Sequence, residues 1–527
     1  LDDYAGGLPT DRPVVITAAS YNGRPTDDAT AFAAWLEEAS DAGDITYAVL
    51  GVGDRNWAAT YQHVPTRFDQ CLADLGATRL TDRAAADASG DLTGAVRDFT
   101  ARLRTALLER YGDPDASAPA DAEPTTAYEV RTLTAGPLDA LAQRHGLVPM
   151  KVTEAHDLTA PGHARRKRFV RVALPDGVTY RTADHLTVLP ANTPALVERA
   201  AAALGVDLDT VLDIRATRPR RNGLAVDRPV TVRQLLTFHV ELQERPSAAQ
   251  LSALAAANPC PPERTALANL TGDPRTLIEV IEDFPALCGA LDWPRLLEIL
   301  TPLRPRHYSI SSSPAVDPGH ADLMISLLEA PARSGRGRYR GTGSGHLTDV
   351  EPGDTVYARV QPCREAFRID TGTPVVMVAA GTGLAPFRGA MADRTAALAA
   401  GAELPPALCY FGCDAPDADF LHADELRAAE AVGAVSLRPA FSAAPQDGVT
   451  FVQHRVAAEA DEVWELLGVG ARVYVCGDGS RMAPGVREAF RTLYRERTPG
   501  ADDAAAGRWL DGLIADGRYV EDVYAAG

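Results

Sequence analysis

The sequence has no apolar run that approaches the roughly 20 residues needed to cross a bilayer, and its N-terminus has no basic region followed by an apolar core. Its seven cysteines form neither paired metal-ligand spacings nor a dense disulfide framework. It is poor in positive charge, and its formal net charge of −19 disfavours binding to nucleic acids or acidic membranes. These absences predict a cytoplasmic protein without a metal site, whose partners are small molecules or basic protein surfaces.

The chain is long enough for several domains. Its 527 residues predict about three cores. In the first part, "RPVVITAAS" and "DITYAVLGVGD" are short apolar runs separated by a helical stretch at residues 29–40, an order that favours a parallel sheet. Residues 112–127 are rich in Pro, Ala and Asp without apolar periodicity, which indicates a linker that we extend to residue 144.

Two further patterns follow the linker. Residues 145–370 contain short strand candidates such as "KRFVRVALPDG", "RHYSISSSP" and "DTVYARVQP", the spacing of an antiparallel barrel. A largely helical stretch at about 193–300 interrupts them. From residue 371 to the end, strands such as "TPVVMVAAGTG" and "ARVYVCGDGS" alternate with helical segments. This alternation predicts a doubly wound parallel sheet.

The segment "RPRHYSISSSP" carries three groups that suit a flavin. Arg306 offers a cation for a pyrophosphate, Tyr308 a ring that can stack on isoalloxazine, and Ser309 a polar group for the flavin N5. Strand alternation puts Arg306 and Tyr308 on one face. Taken alone, the pattern equally suits a barrel strand with a half-buried tyrosine and a solvated arginine.

Other candidate motifs also lie at strand ends. "RGTGSGHL" and "AAGTGLAPFRG" bring small residues to helix starts, where backbone amides can approach phosphates, although the second lacks the complete G-x-G-x-x-G spacing. "YVCGDGSRM" places Cys476 at the carboxyl end of a strand, where open parallel sheets bind ligands. "RYVEDVYAAG" places Asp522 and Tyr524 near the C-terminus. A buried structural cysteine and a docked aromatic tail remain alternatives for these two motifs.

The chain resembles the diflavin reductases, the NADPH-cytochrome P-450 reductase family, through motifs that occur in the family order. It is most similar to the reductase half of bacterial self-sufficient cytochrome P-450 and reductase fusions. The motifs include "ASYNGRP", "GDRNWAATYQ", "DASGDL", "CPPE", "RPRHYSISSSP", "GTGLAPFRG", "FVQH", "VCGDGSRMAP" and "GRYVEDVYA".

The resemblance implies an α/β plus β fold in three domains. They are a partial flavodoxin-like domain over residues 1–111, an antiparallel FAD-binding barrel with a helical insert over 145–370, and a C-terminal ferredoxin-reductase-type doubly wound nucleotide-binding domain over 371–527.

For the first domain, the resemblance implies FMN, with Tyr21 and Trp57 stacking on the two faces of its ring. The remaining residues of the ring site would be Asn22, Gly23, Arg24, Gly53, Asp54, Arg55, Tyr61 and Gln62. The phosphate loop of the family is missing ahead of Leu1. We therefore expect the parent protein to continue upstream into a haem domain, and the chain itself to bind FAD near one per chain and FMN far below that.

For the other two domains, the resemblance implies sites for FAD and for a nicotinamide dinucleotide. The FAD residues would be Arg306, His307, Tyr308, Ser309, Met324, Ile325, Ser326, Gly341, Thr342, Gly343 and Ser344. The nucleotide residues would be Gly381, Thr382, Gly383, Ser442, Asp447 and Gln453. Ser309, Cys476 and Asp522 resemble the hydride-transfer cluster of the family, and Tyr524 would cover the flavin ring.

The implied function is electron transfer from a nicotinamide dinucleotide through FAD and FMN to a haem monooxygenase domain. NADPH-using relatives carry Arg and Lys at the positions of Ala443 and Val449, so NADH is the predicted donor unless Arg438 or Arg455 compensates. Two alternatives remain. One is a flavoprotein of the same architecture with another acceptor, of the sulfite reductase or nitric oxide synthase type, and the other is a non-catalytic flavin or nucleotide module.

Overall fold

The computed structural model describes residues 1–20, 23–55, 60–112, 128–132, 145–216 and 229–524. It divides into two compact units, residues 1–125 with 247–252 and residues 126–246 with 253–527. The predicted barrel and the predicted nucleotide sheet thus share one unit, because one apolar core contains side chains of both. In the described ranges, no helix is both long enough and apolar enough to span a membrane.

The first unit contains a parallel sheet with helices packed on it. The central strand β2 (Thr46–Gly53) pairs in parallel with β1 (Val14–Ala19), β3 (Thr78–Arg79) and β4 (Ala84–Asp87). Its first six residues are buried, as expected for a continuous apolar run in a parallel sheet. The helices are α1 (Thr30–Glu38), α2 (His63–Asp74) and α3 (Leu92–Tyr111). The predicted strand, helix, strand order is confirmed.

The segment before the barrel and the insert within it differ from the sequence prediction. β5 (Tyr128–Thr132) lies inside the predicted linker and pairs with β9 (Val211–Ala216), which also pairs with β10 (Val230–Thr231). The linker prediction is therefore wrong for these five residues, because a short strand whose partner is remote in sequence gives no local periodicity. The insert contains helices as well as this sheet.

The described part of the insert contains five α-helices of seven or more residues. They are α4 (Pro194–Leu204), α5 (Ala248–Ala257), α6 (Pro261–Ala268), α7 (Leu277–Asp283) and α8 (Trp293–Ile299). Two short strands, β11 (Val240–Glu241) and β12 (Thr301–Pro302), pair at the exit of the insert.

The barrel is antiparallel, with the strand order β13-β8-β17-β6-β7-β14. A bridge between Ile310 and Leu323 closes it. Its strands are β6 (Val148–Asp157), β7 (Lys167–Ala173), β8 (His185–Val188), β13 (Arg306–Ser309), β14 (His320–Ser326) and β17 (Thr355–Gln361). A hairpin of β15 (Glu329–Pro331) and β16 (Arg338–Arg340) leads to helix α9 (Thr342–Asp349).

The nucleotide domain is a five-stranded parallel sheet of order β20-β19-β18-β21-β22, which confirms the doubly wound prediction. The strands are β18 (Val375–Ala380), β19 (Ala407–Cys413), β20 (Ser436–Phe441), β21 (Arg472–Asp478) and β22 (Tyr519–Tyr524). The helices are α10 (Ala385–Ala399), α11 (Ala423–Ala431), α12 (Val452–Ala458), α13 (Ala460–Gly468), α14 (Met482–Arg497) and α15 (Asp503–Ala515). The order reverses between β18 and β21, so a ligand crevice is expected at their carboxyl ends.

Aromatic packing fixes the barrel against the nucleotide sheet. Phe367, which follows β17, packs on Phe387 of α10 and on Tyr474 of β21, with ring centroids 6.3 and 5.7 Å apart. The Tyr474 hydroxyl also donates to the Arg368 carbonyl oxygen at 2.8 Å. These contacts, all within the second unit, hold the segment after β17 against α10 and β21.

Candidate active site

One face of β13 packs against the start of α9. A Cβ atom on Gly343 would lie 2.7 Å from the Tyr308 hydroxyl oxygen and 2.8 Å from Arg306 Cγ. Arg306 and Tyr308 therefore share the face predicted from strand alternation, and both contact the first turn of the helix. That helix begins at Thr342, within the segment expected to precede it. A guanidinium beside a helix N-terminus suits a pyrophosphate.

A buried carboxylate holds Arg306 in this place. Arg306 Nη2 donates to Glu241 Oε2 at 3.3 Å, and the Thr342 hydroxyl donates to Glu241 Oε1 at 3.3 Å. Glu241 is 5% exposed. This partner was not predicted, because Glu241 lies in the insert, 65 positions from Arg306.

The side chains of the other predicted FAD residues point in different directions. Met324 and Ile325 are buried in apolar cores, at 4% and 0% exposure, so only their backbone can meet a ligand. Ser326 is exposed at the end of β14. His307 lies on the face of β13 opposite Tyr308, where its Nδ1 is 2.8 Å from the Thr187 hydroxyl oxygen.

The three predicted catalytic residues are brought together through a histidine. Ser309 pairs with His185 across β13 and β8, and Cys476 pairs with Asp522 across β21 and β22. His185 Nε2 lies 3.0 Å from Asp522 Oδ2 and joins the two pairs. His185, the first residue of β8, was not among the predicted site residues.

Cys476 is a neutral thiol in this cluster. It is 3% exposed, and burial together with the neighbouring Asp522 carboxylate raises the pKa of the Cys476 thiol well above its usual value. At neutral pH the residue is therefore neither a nucleophile nor a metal-binding thiolate. It can pack against a ligand and donate a weak hydrogen bond.

The predicted nucleotide loop lies against Cys476. Gly381 has φ +55°, and a Cβ on Gly383 would overlap the Cys476 carbonyl oxygen, so both positions require glycine. Tyr524, half-exposed and two residues after Asp522 on β22, interacts with the Thr382 side chain. Alternation puts Asp522 and Tyr524 on one face of the strand. The predicted nucleotide loop, Cys476 and the C-terminal strand thus lie next to one another.

The predicted adenosine end of the crevice contains a paired carboxylate. The Ser442 hydroxyl donates to Asp414 Oδ1 at 2.9 Å. Asp414 also accepts from Arg165 Nε at 3.0 Å and lies 3.0 Å from His163 Nε2. The nearby Asp419 is paired with Lys167 at 2.7 Å. His163 and the two carboxylates lie close enough to hold a cation, but both carboxylates already have cationic partners.

The two arginines that flank this end are bound to acidic side chains. Arg438 pairs with Glu459 at 2.8 Å and with Glu462 at 3.0 Å, and Arg455 pairs with Glu459 at 2.6 Å. Both guanidinium groups therefore already have carboxylate partners.

The remaining predicted nucleotide residues take different positions. Asp447 has φ +52° and forms an exposed tight turn with Gly448, which has φ +78°. Gln453 lies on α12, with its side-chain amide against Gly485 of α14. Val449 is 6% exposed and packs in an apolar core.

In the first unit, the predicted FMN loops meet at the carboxyl ends of the strands. The Arg55 guanidinium carbon is 5.7 Å from the Tyr61 ring centroid, and the Arg55 backbone N–H donates to Asp87 Oδ1 at 3.1 Å. Gly53 ends β2 and faces the Tyr61 ring. Asp87, at the end of β4, was not among the predicted residues.

Two FMN predictions differ in accessibility, and three fall on undescribed positions. Gln62 is buried, and its amide donates to the Gly51 carbonyl oxygen at 3.0 Å and accepts from Arg83 at 2.9 Å, so both amide groups have partners within the protein. Arg24 is exposed, and Gly23 and Asp54 lie in the adjoining loops. The predicted residues Tyr21, Asn22 and Trp57 lie outside the described residues.

The folds define a class: an antiparallel barrel packed on a doubly wound parallel sheet, with Arg306 and Tyr308 against the start of α9 and Cys476 beside the glycine loop that follows β18. Comparisons with known proteins agree. Residues 1–99 match the flavodoxin family, residues 142–346 the FAD binding domain family, and residues 377–488 the oxidoreductase NAD-binding domain family.

Three relatives illustrate the similarity over the whole chain. A bifunctional cytochrome P450/NADPH–P450 reductase from Bacillus subtilis is 36% identical over 100% of this chain and 50% of the relative. One from Bacillus cereus is 33% identical over the same shares. A self-sufficient cytochrome P450 monooxygenase from Aspergillus terreus is 35% identical over 94% of this chain and 48% of its own. The chain spans about half the length of these relatives. It belongs to the diflavin reductase family of oxidoreductases.

A substitution at Gly343 is expected to remove FAD. In Gly343→Val, the new side chain would displace the Tyr308 ring or the Arg306 stem, so FAD per chain should fall several-fold. The measurement is the flavin absorbance of the purified protein, with the released flavin separated by chromatography. Gly512→Ala on α15 is the control, because a Cβ there meets nothing within 4 Å. Full FAD occupancy in Gly343→Val would contradict the assignment of this face.

Proposed function

We propose that the chain transfers electrons from a nicotinamide dinucleotide through FAD and FMN to a haem monooxygenase domain in the same polypeptide. The observation that carries the proposal is the convergence of Ser309, Asp522 and Cys476 beside the nucleotide loop. Relatives that contain this type of reductase half are named as P450 and P450-reductase fusions, which supports the acceptor.

The chain's own residues would align the two reactants. When bound, a nicotinamide supplies hydride, and the flavin pair converts it to single electrons. Ser309 would contact the flavin N5 region, Cys476 would pack beside the nicotinamide, and the Asp522 carboxylate would favour the positive charge that develops on its ring. Tyr524 would cover the flavin until the nicotinamide displaces it.

Arg306, with the first turn of α9, would hold the FAD pyrophosphate, while Tyr308 would stack on the ring. Glu241 keeps the guanidinium against α9 and so places the cation before the cofactor arrives. In the first unit, Tyr61 and Arg55 would border the FMN ring.

We also propose that NADH is preferred over NADPH. Ala443 and Val449 supply no positive charge, and the two basic side chains that share Asp414 with Ser442, Arg165 and His163, both face that carboxylate. A 2'-phosphate would approach the Asp414 carboxylate, whereas a ribose 2'-hydroxyl could donate to it. The two Bacillus relatives named above carry NADPH in their names, so this preference would distinguish the chain from them.

Two experiments test the function. Anaerobic addition of NADH should bleach the flavin absorbance of the purified protein and support ferricyanide reduction. A colourless or inert protein would contradict the proposal that the chain is an oxidoreductase.

The coding sequence upstream of Leu1 tests the acceptor. A haem-thiolate domain in that frame would support electron transfer within one polypeptide, and a domain of another class would overturn it.

A further inference from the structure

One hydrogen bond connects the barrel to the C-terminal strand at the proposed hydride site. His185, the first residue of β8, has its Nε2 3.0 Å from Asp522 Oδ2 on β22. Both side chains are partly buried, at 19% and 27% exposure. Within the described part of the chain, this is the one side-chain hydrogen bond that Asp522 makes.

The strand registers put this bond at the centre of the cluster. His185 lies opposite Ser309, and Asp522 lies opposite Cys476. Directly opposed residues of neighbouring strands project to the same side of a sheet. The bond therefore joins the residue pair proposed for the flavin to the pair proposed for the nicotinamide.

We propose that His185 is a positioning residue for hydride transfer, acting by holding the Asp522 carboxylate toward the nicotinamide; this rests on the proposed function. Among the described strands, β22 lies at the edge of its sheet and pairs with β21. An aspartate in such a place has several rotamers open to it. A ring N–H donated from the rigid barrel selects one of them, and small errors of position at a reacting centre are costly.

The contact is not needed to hold the two domains together. Phe367 packs between Phe387 and Tyr474, and Arg388 of α10 donates to Asp322 of β14 at 2.9 Å. Loss of one partly exposed hydrogen bond should leave this interface intact. A structural role and a positioning role for His185 therefore predict different measurements.

The test uses His185→Ala, His185→Gln and a matched control. The control is His320→Ala, because His320 also pairs with an aspartate on the barrel, Asp317, at 3.0 Å. Anaerobic stopped-flow reduction of the bound flavin by NADH gives a limiting rate and an apparent Kd for each variant, and FAD content and Tm are measured in parallel.

His185→Ala should lower the limiting rate by roughly tenfold or more, with little change in apparent Kd, FAD content or Tm. His185→Gln, whose amide Nε2 can reach the same carboxylate, should recover most of the rate. His320→Ala should match the wild type. In a background of Asp522→Asn, adding His185→Ala should lower the rate little further.

Three results would overturn the inference. One is a wild-type limiting rate in His185→Ala. Another is a full additional loss when His185→Ala is combined with Asp522→Asn, and the third is a Tm or FAD loss that accounts for the slower rate. If the wild-type flavin is reduced by neither NADH nor NADPH, the proposed function itself fails, which the wild-type trace alone reveals.

Discussion

In Cys476→Ala, the nicotinamide should reduce the bound FAD roughly 100-fold more slowly than in the wild type. The variant should nevertheless bind as much FAD per chain as the wild type. The thiol lies at the carboxyl end of β21, opposite Asp522 and against the nucleotide loop, but it is not on the β13 face with Arg306 and Tyr308. Its removal should therefore disturb the approach of the nicotinamide and not the retention of the flavin. The measurement is the anaerobic rate of flavin bleaching per bound FAD.

Cys409→Ala is the matched control for this variant. Cys409 is also fully buried in the same sheet, but it lies in the middle of β19, opposite Met377 of β18. Both variants lose a buried sulfur, so both should lower Tm slightly. Only Cys476→Ala should slow flavin reduction. Loss of FAD with a normal rate per bound flavin would show that Cys476 is structural.

The domain classes and several strand-end motifs were predictable because their signals are local. Alternation along "RHYS" put Arg306 and Tyr308 on one face, and Gly343 shows that they do share it. The strand, loop, helix pattern around Gly381 likewise fixed the place of the nucleotide loop. Periodicity and glycine positions are read within a few residues, so tertiary context did little to change them.

The partners of these motifs were not predictable, because they come from distant parts of the chain. His185 and Asp522 are 337 positions apart, and Glu241 contacts Arg306 from inside the insert. The strand β5 was missed for the same reason, since its partner β9 follows it by about 80 residues. A site residue that works by holding another residue has no sequence pattern of its own.

The burial of Val449 limits which substitutions can test the choice between NADH and NADPH. A lysine at position 449 would restore the basic residue of NADPH-using relatives, but Val449 is 6% exposed and belongs to an apolar core. A buried, unpaired ammonium would destabilise the domain, so a changed donor ratio could not be attributed to the 2'-phosphate. Ala443 is exposed and follows Ser442 at the end of β20, which makes it the position to alter.

Ala443→Arg is expected to shift donor choice from NADH toward NADPH. The wild type should show the higher kcat/KM with NADH, because the Arg165 charge beside Ser442 is already neutralised by Asp414. A new guanidinium could form charge-assisted hydrogen bonds to a 2'-phosphate, each contributing about 1.5 to 3 kcal/mol, or roughly 10- to 150-fold in the NADPH to NADH ratio. The ratio of kcat/KM values is measured at fixed ionic strength.

The control places the same charge at the other end of the sheet. Ala402 is exposed in the loop before β19, at the amino ends of the parallel strands, so Ala402→Arg changes net charge without reaching the crevice. It should leave the donor ratio near the wild-type value.

Asp414→Asn is a second, independent test of the donor preference. It frees Arg165 and removes a carboxylate that would repel a 2'-phosphate, so it too should favour NADPH. A wild type that prefers NADPH, or a ratio that neither Ala443→Arg nor Asp414→Asn moves, would contradict the proposed preference.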